Sequence, residues 1–506
     1  MAITGILLII VQIFSKVLGF FREVVLSNYH GASFITDAFL VAMTLPVHIF
    51  SIFSSAIAVS FIPVYNKIKD ADGEIVSEKY TSNLINVTFI LTVIISILLY
   101  LFTKPLVKII AVGFNEQTFL LAINLTRIAI FSILFLGMTS ILVPYLNINN
   151  KFVIPSMIGI PLNLSIILGI VLSSKTSITM LAYGILLGHG LQLILLLPSL
   201  HKVKYKHTLR IKLNDENLKY MFFLSIPVII GNSANQLNTI VDRTIASTIK
   251  VGALSALSYA IRLNYFTQGI IVIPLVTLMY PKLSNLVTSK KHNELIKLIN
   301  KYVSFITILI VPTMIGGAIL SKEITSVLFL RGAFDENALE MTHIAVKFYI
   351  LGAGGLAFRE VFSRILYAHN DTKTPVRNTV ITVVINIILN IILSKLMGIG
   401  GLALATSISA TISAVLMKKG TDKLITNKET YYRNYSKYFK IIVSGVIMGM
   451  SILFYKYFCS TTISSFLLFI ELSIGIITYI VMLFILKIDE INDIKQFIKD
   501  YRIKIK

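Results

Sequence analysis

Charge is scarce in this chain: 14% of its 506 residues are Asp, Glu, Lys or Arg, against 56% hydrophobic residues. That balance excludes the solvated surface a soluble globular protein needs. Cysteine is scarcer still, and the single Cys459 rules out both a disulfide framework and a cysteine metal centre. Acidic residues number 24 against 46 basic ones, leaving a formal net charge of +22. Such a surplus can signal nucleic acid, but here the basic residues are spread through short connections instead of forming a stripe, so no nucleic-acid partner is expected. Catalytic signatures are also missing: there is no phosphate-cradling Gly-rich loop with lysine, no HExxH and no GxSxG elbow. No connection is long enough to hold a nucleotide-hydrolysing domain, and the chain is expected not to be an enzyme.

What the sequence has in abundance is long apolar runs. Runs able to cross ~30 Å of hydrocarbon predict spans near 5–28, 34–65, 80–103, 117–147, 153–173 and 177–200, then 217–248, 252–284, 300–320, 340–368, 375–396 and 400–418, and finally 437–459 and 462–487. The expected fold class is therefore an all-α integral membrane protein with about fourteen transmembrane helices. The first apolar segment has no basic residue before it and contains Lys16, Arg22 and Glu23, so it reads as a retained helix and not as a cleaved signal. Lysine and arginine concentrate in alternate connections, which predicts that both termini face the cytoplasm. Pro46, Pro227, Pro274 and Pro312 fall inside spans and predict kinks.

A faint duplication organises these spans. Tyr145, Lys151, Pro155 and Asn163 are echoed by Tyr367, Lys373, Pro375 and Asn386, and Phe61-Ile62-Pro63-Val64-Tyr65 by Met279-Tyr280-Pro281-Lys282-Leu283. Six spans return the chain to its starting side, so the halves are expected to be parallel repeats. The division is an N-terminal lobe at 1–200, a basic cytoplasmic linker at 201–219, a C-terminal lobe at 220–420, a terminal helix pair at 437–487 and a basic tail at 488–506.

Charge inside hydrocarbon costs about 2.5–3.5 kcal/mol per group on insertion scales, so ionisable residues within spans carry information. Lys16 and Glu23 share one face of the first span, as do Ser15 and Arg22. The eighth span carries Tyr259, Arg262 and Phe266 on one face. Lys16, Arg22 and Arg262 would line a cavity with positive charge suited to a pyrophosphate. The competing reading is helix glue, with Arg22 paired to Asp37 and Lys16 to Glu23. For Glu360 and Arg364, four apart on one helix, bridging is the favoured reading. Asn235, Thr239 and Asp242 form a second stripe, and Asn386, Asn390 and Thr406 add further oxygen donors. These suit an alkali cation or, more blandly, interhelical hydrogen bonds.

One further pattern is more specific. The runs Ser15-Lys16-Val17-Leu18-Gly19-Phe20-Phe21-Arg22-Glu23, Gly31-Ala32, Thr36-Asp37-Ala38-Phe39, Leu45-Pro46, Phe61-Ile62-Pro63, Ser258-Tyr259-Ala260-Ile261-Arg262-Leu263, Arg331-Gly332-Ala333-Phe334, Tyr367 through Arg377 and Gly401 through Ser407 resemble, in order, the MurJ/MviN lipid II flippases. That family belongs to the multidrug/oligosaccharidyl-lipid/polysaccharide exporter superfamily, so the resemblance implies two six-helix lobes plus two C-terminal helices that form a lipid-tail groove. It implies substrate contacts at Lys16, Arg22, Asp37, Arg262 and neighbouring Ser15, and a sodium site at Asp242, Asn386, Asn390, Thr406 and the Leu402 carbonyl. The chain departs from the family where Phe50-Ser51 replace paired arginines, leaving His48 the nearest basic candidate, and where Ser55-Ala56 replace a glutamate and glycine. Lys16 also stands for an arginine and Asn390 for an aspartate.

The implied activity is movement of an undecaprenyl-pyrophosphate muropeptide from the inner to the outer leaflet of a bacterial cytoplasmic membrane by alternating access. The protein is expected to act as a monomer among membrane lipids, with no cofactor beyond a coupling sodium ion. The alternatives are a flippase for another polyprenyl-linked glycan of O-antigen or teichoic type, a cation-coupled drug exporter, and a membrane-embedded glycan polymerase or acyltransferase.

Overall fold

The computed structural model describes residues 2–425, 435–459 and 464–488. Residues 489–506 of the expected basic tail and the side chain of Cys459 lie outside the described residues. Described residues are helical or in short connections, and no strand occurs among them. Contacts divide the chain into one compact unit of Met1–Ser255 with Arg331–Asp335 and another of Ala256–Leu330 with Glu336–Lys506.

The first unit contains α1 (Ala2–His30), α2 (Phe34–Asp72), α3 (Glu74–Leu101), α4 (Thr103–Ile110), α5 (Glu116–Ala129), α6 (Ser132–Ile148), α7 (Val153–Ser156), α8 (Gly159–Ser173), α9 (Met180–Lys202) and α10 (Glu216–Ile249). Its core is aromatic where α2, α3 and α6 meet. Phe61 stacks on Tyr80 at 6.2 Å, Tyr65 meets Tyr145 edge-on at 5.8 Å, and Tyr205 closes over Tyr145 at 5.1 Å. Pro46 and Pro63 both lie inside α2, whose helix continues through them.

In chain order α11 (Ala253–Thr267) follows and crosses into the second unit, which then has α12 (Ile273–Thr288), α13 (His292–Ile319), α14 (Ser321–Phe329), α15 (Glu336–Leu351), α16 (Ala353–Ala368), α17 (Lys373–Met397) and α18 (Ile399–Leu424). The terminal pair is α19 (Tyr435–Cys459) and α20 (Ser465–Ile485). A π turn over 268–272 separates α11 from α12, and Pro274, which has no N–H to donate, sits just beyond it. The core gathers Val272, Met279, Ile299, Ile306, Val361 and Ile365. On α19, Gly445 and Gly449 let the backbone close on Val311 and Ile315 of α13, the small-residue packing that membrane helices favour. Lys456 pairs with Glu323 of α14, and the Tyr479 hydroxyl donates to the Ile308 carbonyl at 2.8 Å.

Large apolar side chains such as Phe89, Leu98, Ile388 and Phe469 face outward, which in a soluble protein would be a liability and in lipid is the stable arrangement. Eleven helices among the described residues are long and apolar enough to cross a membrane, or twelve if α5 and α6, bent by 45°, form one broken span. The helices α1 and α10 contain side chains outside the described residues, and the expected fourteen spans are compatible with that count.

Helix endings follow a pattern. The described residues with positive φ other than glycine are Asn150, Lys204, Lys290, Asn370 and Lys487. Each ends a helix in the left-handed conformation, and the next residue's N–H donates back to a carbonyl five residues earlier, as in Lys151 to Leu146 and Lys291 to Leu286. Among the described residues the glycines at positive φ are Gly31, Gly73, Gly252, Gly332 and Gly398.

Candidate functional site

The α1 face that meets α8 carries the sequence-predicted residues. Ser15 packs on Gly159, where an added Cβ would come within 2.1 Å of its hydroxyl, and Gly19 faces Asn163. Arg22 is 6% exposed, and its guanidinium donates to Asn163 Oδ1 at 3.0 Å and pairs with the adjacent Glu23. His30 completes the stripe with a 2.7 Å hydrogen bond to Ser173. The spacing 15, 19, 22, 30 is one helical face. Lys16 lies off it and is exposed.

The Arg22–Asp37 pair that sequence suggested as helix glue gives way to other partners: Arg22 pairs with Glu23 while donating to Asn163, and Asp37 takes backbone amides. Asp37 is 2% exposed and accepts from the Gly252 N–H at 2.7 Å and the Ser255 N–H at 2.8 Å, with the Ser255 hydroxyl on the same oxygen. It thus caps the first turn of α11, meeting orphan amides and the positive helix end. The Glu360–Arg364 bridge forms at 3.9 Å, with Arg359 on the other carboxylate oxygen.

Two separate motif fragments meet. The Ala333 N–H donates to the Asn28 carbonyl at 2.9 Å, and a Cβ on Gly31 would stand 2.2 Å from the Ala333 oxygen. A Cβ on Gly332 would stand 2.2 Å from the Asn28 oxygen. Both glycines have positive φ, so backbone conformation and proximity each require them.

His48 hydrogen-bonds Gln236 of α10. On the same helix pair Arg243 reaches the Thr44 hydroxyl at 2.7 Å and the Leu40 carbonyl at 3.3 Å. Sequence reasoning missed Gln236, because an uncharged amide within an apolar helix leaves no spacing signal. Phe50, standing where the resemblance implies arginine, is 3% exposed and packs with Ile130 and Ile133. Ser51 bonds back to the His48 carbonyl.

In the second unit, Tyr259 is buried against Phe329 at 5.2 Å, while Arg262 and Phe266 are exposed, so the stripe expected from sequence divides. The oxygen-donor residues of this unit lie on α17 and α18, which pack against each other. Asn386 and Asn390 are 3% and 0% exposed, and Asn390 Nδ2 donates to Asn386 Oδ1 at 2.9 Å. Across the tight Gly398 turn, the Thr406 hydroxyl donates to the Leu402 carbonyl at 3.1 Å. No group of three or more His, Cys, Asp or Glu able to hold a metal is found among the described residues. The donor set is therefore amide, hydroxyl and carbonyl oxygen, which matches hard cations. Thr239 and Asp242 are half-buried on α10 in the first unit, and the side chain of Asn235 lies outside the described residues.

Comparison with known proteins follows the same lines. The family model described as "Lipid II flippase MurJ" matches residues 26–473. A probable lipid II flippase MurJ of Buchnera aphidicola subsp. Schizaphis graminum is 29% identical over 496 residues, covering 96% of each chain. The protein of that name from Thermotoga maritima is 26% identical over 95% of this chain and 96% of its own length. A solved structure titled "Lipid II flippase MurJ, inward closed conformation" superposes with a TM-score of 0.84 at 28% identity, covering 96% of this chain and 100% of that one. An inward-facing multidrug resistance MATE transporter superposes at 0.71 with 12% identity over 83% of this chain and 98% of its own, a likeness of fold alone.

Proposed function

The chain belongs to the lipid II flippase MurJ family, and from that membership we propose that its transport cycle carries the undecaprenyl-pyrophosphate muropeptide from the inner to the outer leaflet by alternating access. The family are transporters and not enzymes, and the chain is a multi-pass membrane protein. The observation that carries the reading is the match along nearly the whole chain, in family pattern and in fold together. The alternative exporters gain no comparable support, since the drug-transporter likeness is one of fold.

Within this reading Lys16, Arg22 and Arg262 bind the pyrophosphate. Arginine suits the task because its planar donors match paired phosphate oxygens. Asp37, Ser15 and His48 shape the path: Asp37 by capping α11, Ser15 by seating α1 on α8, His48 by joining α2 to α10. Both termini face the cytoplasm. Sodium is the coupling ion, with Asn386, Asn390, Thr406, the Leu402 carbonyl and Asp242 as its ligands. Supporting this are the buried amides of Asn386 and Asn390 on α17 and the hydroxyl and carbonyl oxygens of Thr406 and Leu402 on α18.

The test is rescue of a strain depleted of its own lipid II flippase. Arg262→Ala and Arg22→Ala should each abolish rescue at normal membrane abundance, with Arg22→Lys restoring part of it. Full rescue by either alanine variant at normal abundance refutes its assignment to the substrate.

A further inference from the structure

The connection between α9 and α10 is strapped onto α3 by side chains spaced along one helix face. Asn83 Oδ1 accepts from the Lys212 N–H at 2.7 Å while its Nδ2 donates to the Lys212 carbonyl at 3.0 Å. Asn86 Nδ2 donates to the Thr208 carbonyl at 2.8 Å and the Arg210 carbonyl at 3.0 Å. Ser82 accepts from the Thr208 N–H and bonds the Tyr205 hydroxyl at 2.9 Å, and Tyr205 is itself packed on Tyr145. An irregular segment tied at this many points has a fixed backbone and a fixed depth.

That depth places it at a membrane boundary. Ser82, Asn83 and Asn86 lie two to three turns into α3, and from Phe89 onward the outward residues of α3 include Phe89, Ile90, Leu91, Ile94, Ile97 and Leu98. The polar attachment therefore ends where the lipid-facing stretch begins. The strap alternates apolar and basic residues, Leu209-Arg210-Ile211-Lys212-Leu213, and the apolar members are exposed: Leu209 by 87%, Ile211 by 54% and Leu213 by 67%. Lys202, Lys204, Lys206, Arg210 and Lys212 are exposed too. Three large aliphatic side chains held outward in water would be costly, whereas at the acyl boundary they are stabilised while neighbouring cations reach lipid phosphates.

We propose that residues 204–213 form an interfacial membrane anchor, with Leu209, Ile211 and Leu213 entering the acyl boundary and the adjacent basic residues binding anionic phospholipid headgroups. The occupant is a lipid surface because the strap's own support helix continues into hydrocarbon and because its charge is of one sign. The site is separate from the substrate path proposed above and does not depend on what is transported.

The sequence contains no tryptophan, so Ile211→Trp supplies a sole reporter in the full-length protein. Reconstituted in nanodiscs, its emission should be blue-shifted and quenched by lipids brominated along the acyl chain. Brominated phosphatidylglycerol should quench at least about twofold more than brominated phosphatidylcholine at equal mole fraction. Adding Arg210→Gln and Lys212→Gln should remove that preference while leaving the quenching itself. A water-like emission spectrum insensitive to either brominated lipid overturns the anchor, as does emission that is blue-shifted without quenching, which would mean protein covers the strap. Equal quenching by the two lipids overturns the anionic selectivity.

Discussion

Asp37 shows how much one buried carboxylate can hold when its partners are backbone. Both of its oxygens accept amides of the α11 first turn, so Asp37→Ala leaves buried N–H groups without acceptors and removes a cap, a loss of roughly 2 kcal/mol or more. Asp37→Asn keeps one acceptor and should lose less. Thermal unfolding in detergent should rank wild type above Asp37→Asn above Asp37→Ala; an Asp37→Ala protein that unfolds at the wild-type temperature contradicts the capping role. The importance of Asp37 was legible from resemblance, but its partners were not. They are main-chain groups at Gly252 and Ser255, more than two hundred residues away, and a sequence pattern carries no mark of a backbone acceptor pairing. The Arg22 partner was misread for a related reason. Glu23 is adjacent in sequence and so off the helical face that Arg22 occupies, but the long guanidinium can fold back while still reaching Asn163.

Among elements, spans were the most legible feature because hydrocarbon demands an unbroken apolar helix and the sequence records that length directly. Breaks were less legible: the bend between α5 and α6 and the π turn after α11 involve no proline at the break itself, though Pro274 follows the latter. The start of α17 gives a pH test. Asp371 accepts from the Thr374 hydroxyl and from its N–H, the latter at 2.9 Å, and these hydrogen bonds hold its carboxyl below the usual aspartate range. A folded-state pKa below the unfolded one stabilises the capped turn at every pH above the ordinary value of about 3.9, and that contribution is lost as pH falls through the folded pKa. Amide exchange at Thr374 should therefore stay protected, after correction for intrinsic rate, from pH 7 down to the usual aspartate range and lose protection below it. In Asp371→Asn protection should be weaker and flat with pH; the same acid-dependent loss in that variant would show that another group controls the turn.

At the scale of the whole molecule, the sodium coupling proposed above predicts that transport depends on an ion gradient through the oxygen donors of α17 and α18. Proteoliposomes loaded with the lipid-linked substrate should show faster leaflet exchange with an inward sodium gradient than with potassium, and Asn386→Ala should reduce the difference several-fold. Equal rates in the two salts would remove sodium from the mechanism. The family was readable from ordered motif fragments, and the structure brings two of them together: Gly31 lies against the Ala333 carbonyl and Gly332 against the Asn28 carbonyl, so a side chain at either glycine would collide with the backbone of the other fragment.

The five left-handed helix ends have a consequence for how the chain enters the bilayer. Three are lysines, so the residue that stops the helix also puts a cation beside its negative end and, in the orientation proposed above, adds to the positive bias of the cytoplasmic side. Biogenesis and architecture thus read the same letters: a helix threaded the wrong way round would carry its own terminating residue to the wrong membrane face, and so misinsertion would be penalised twice by a single side chain.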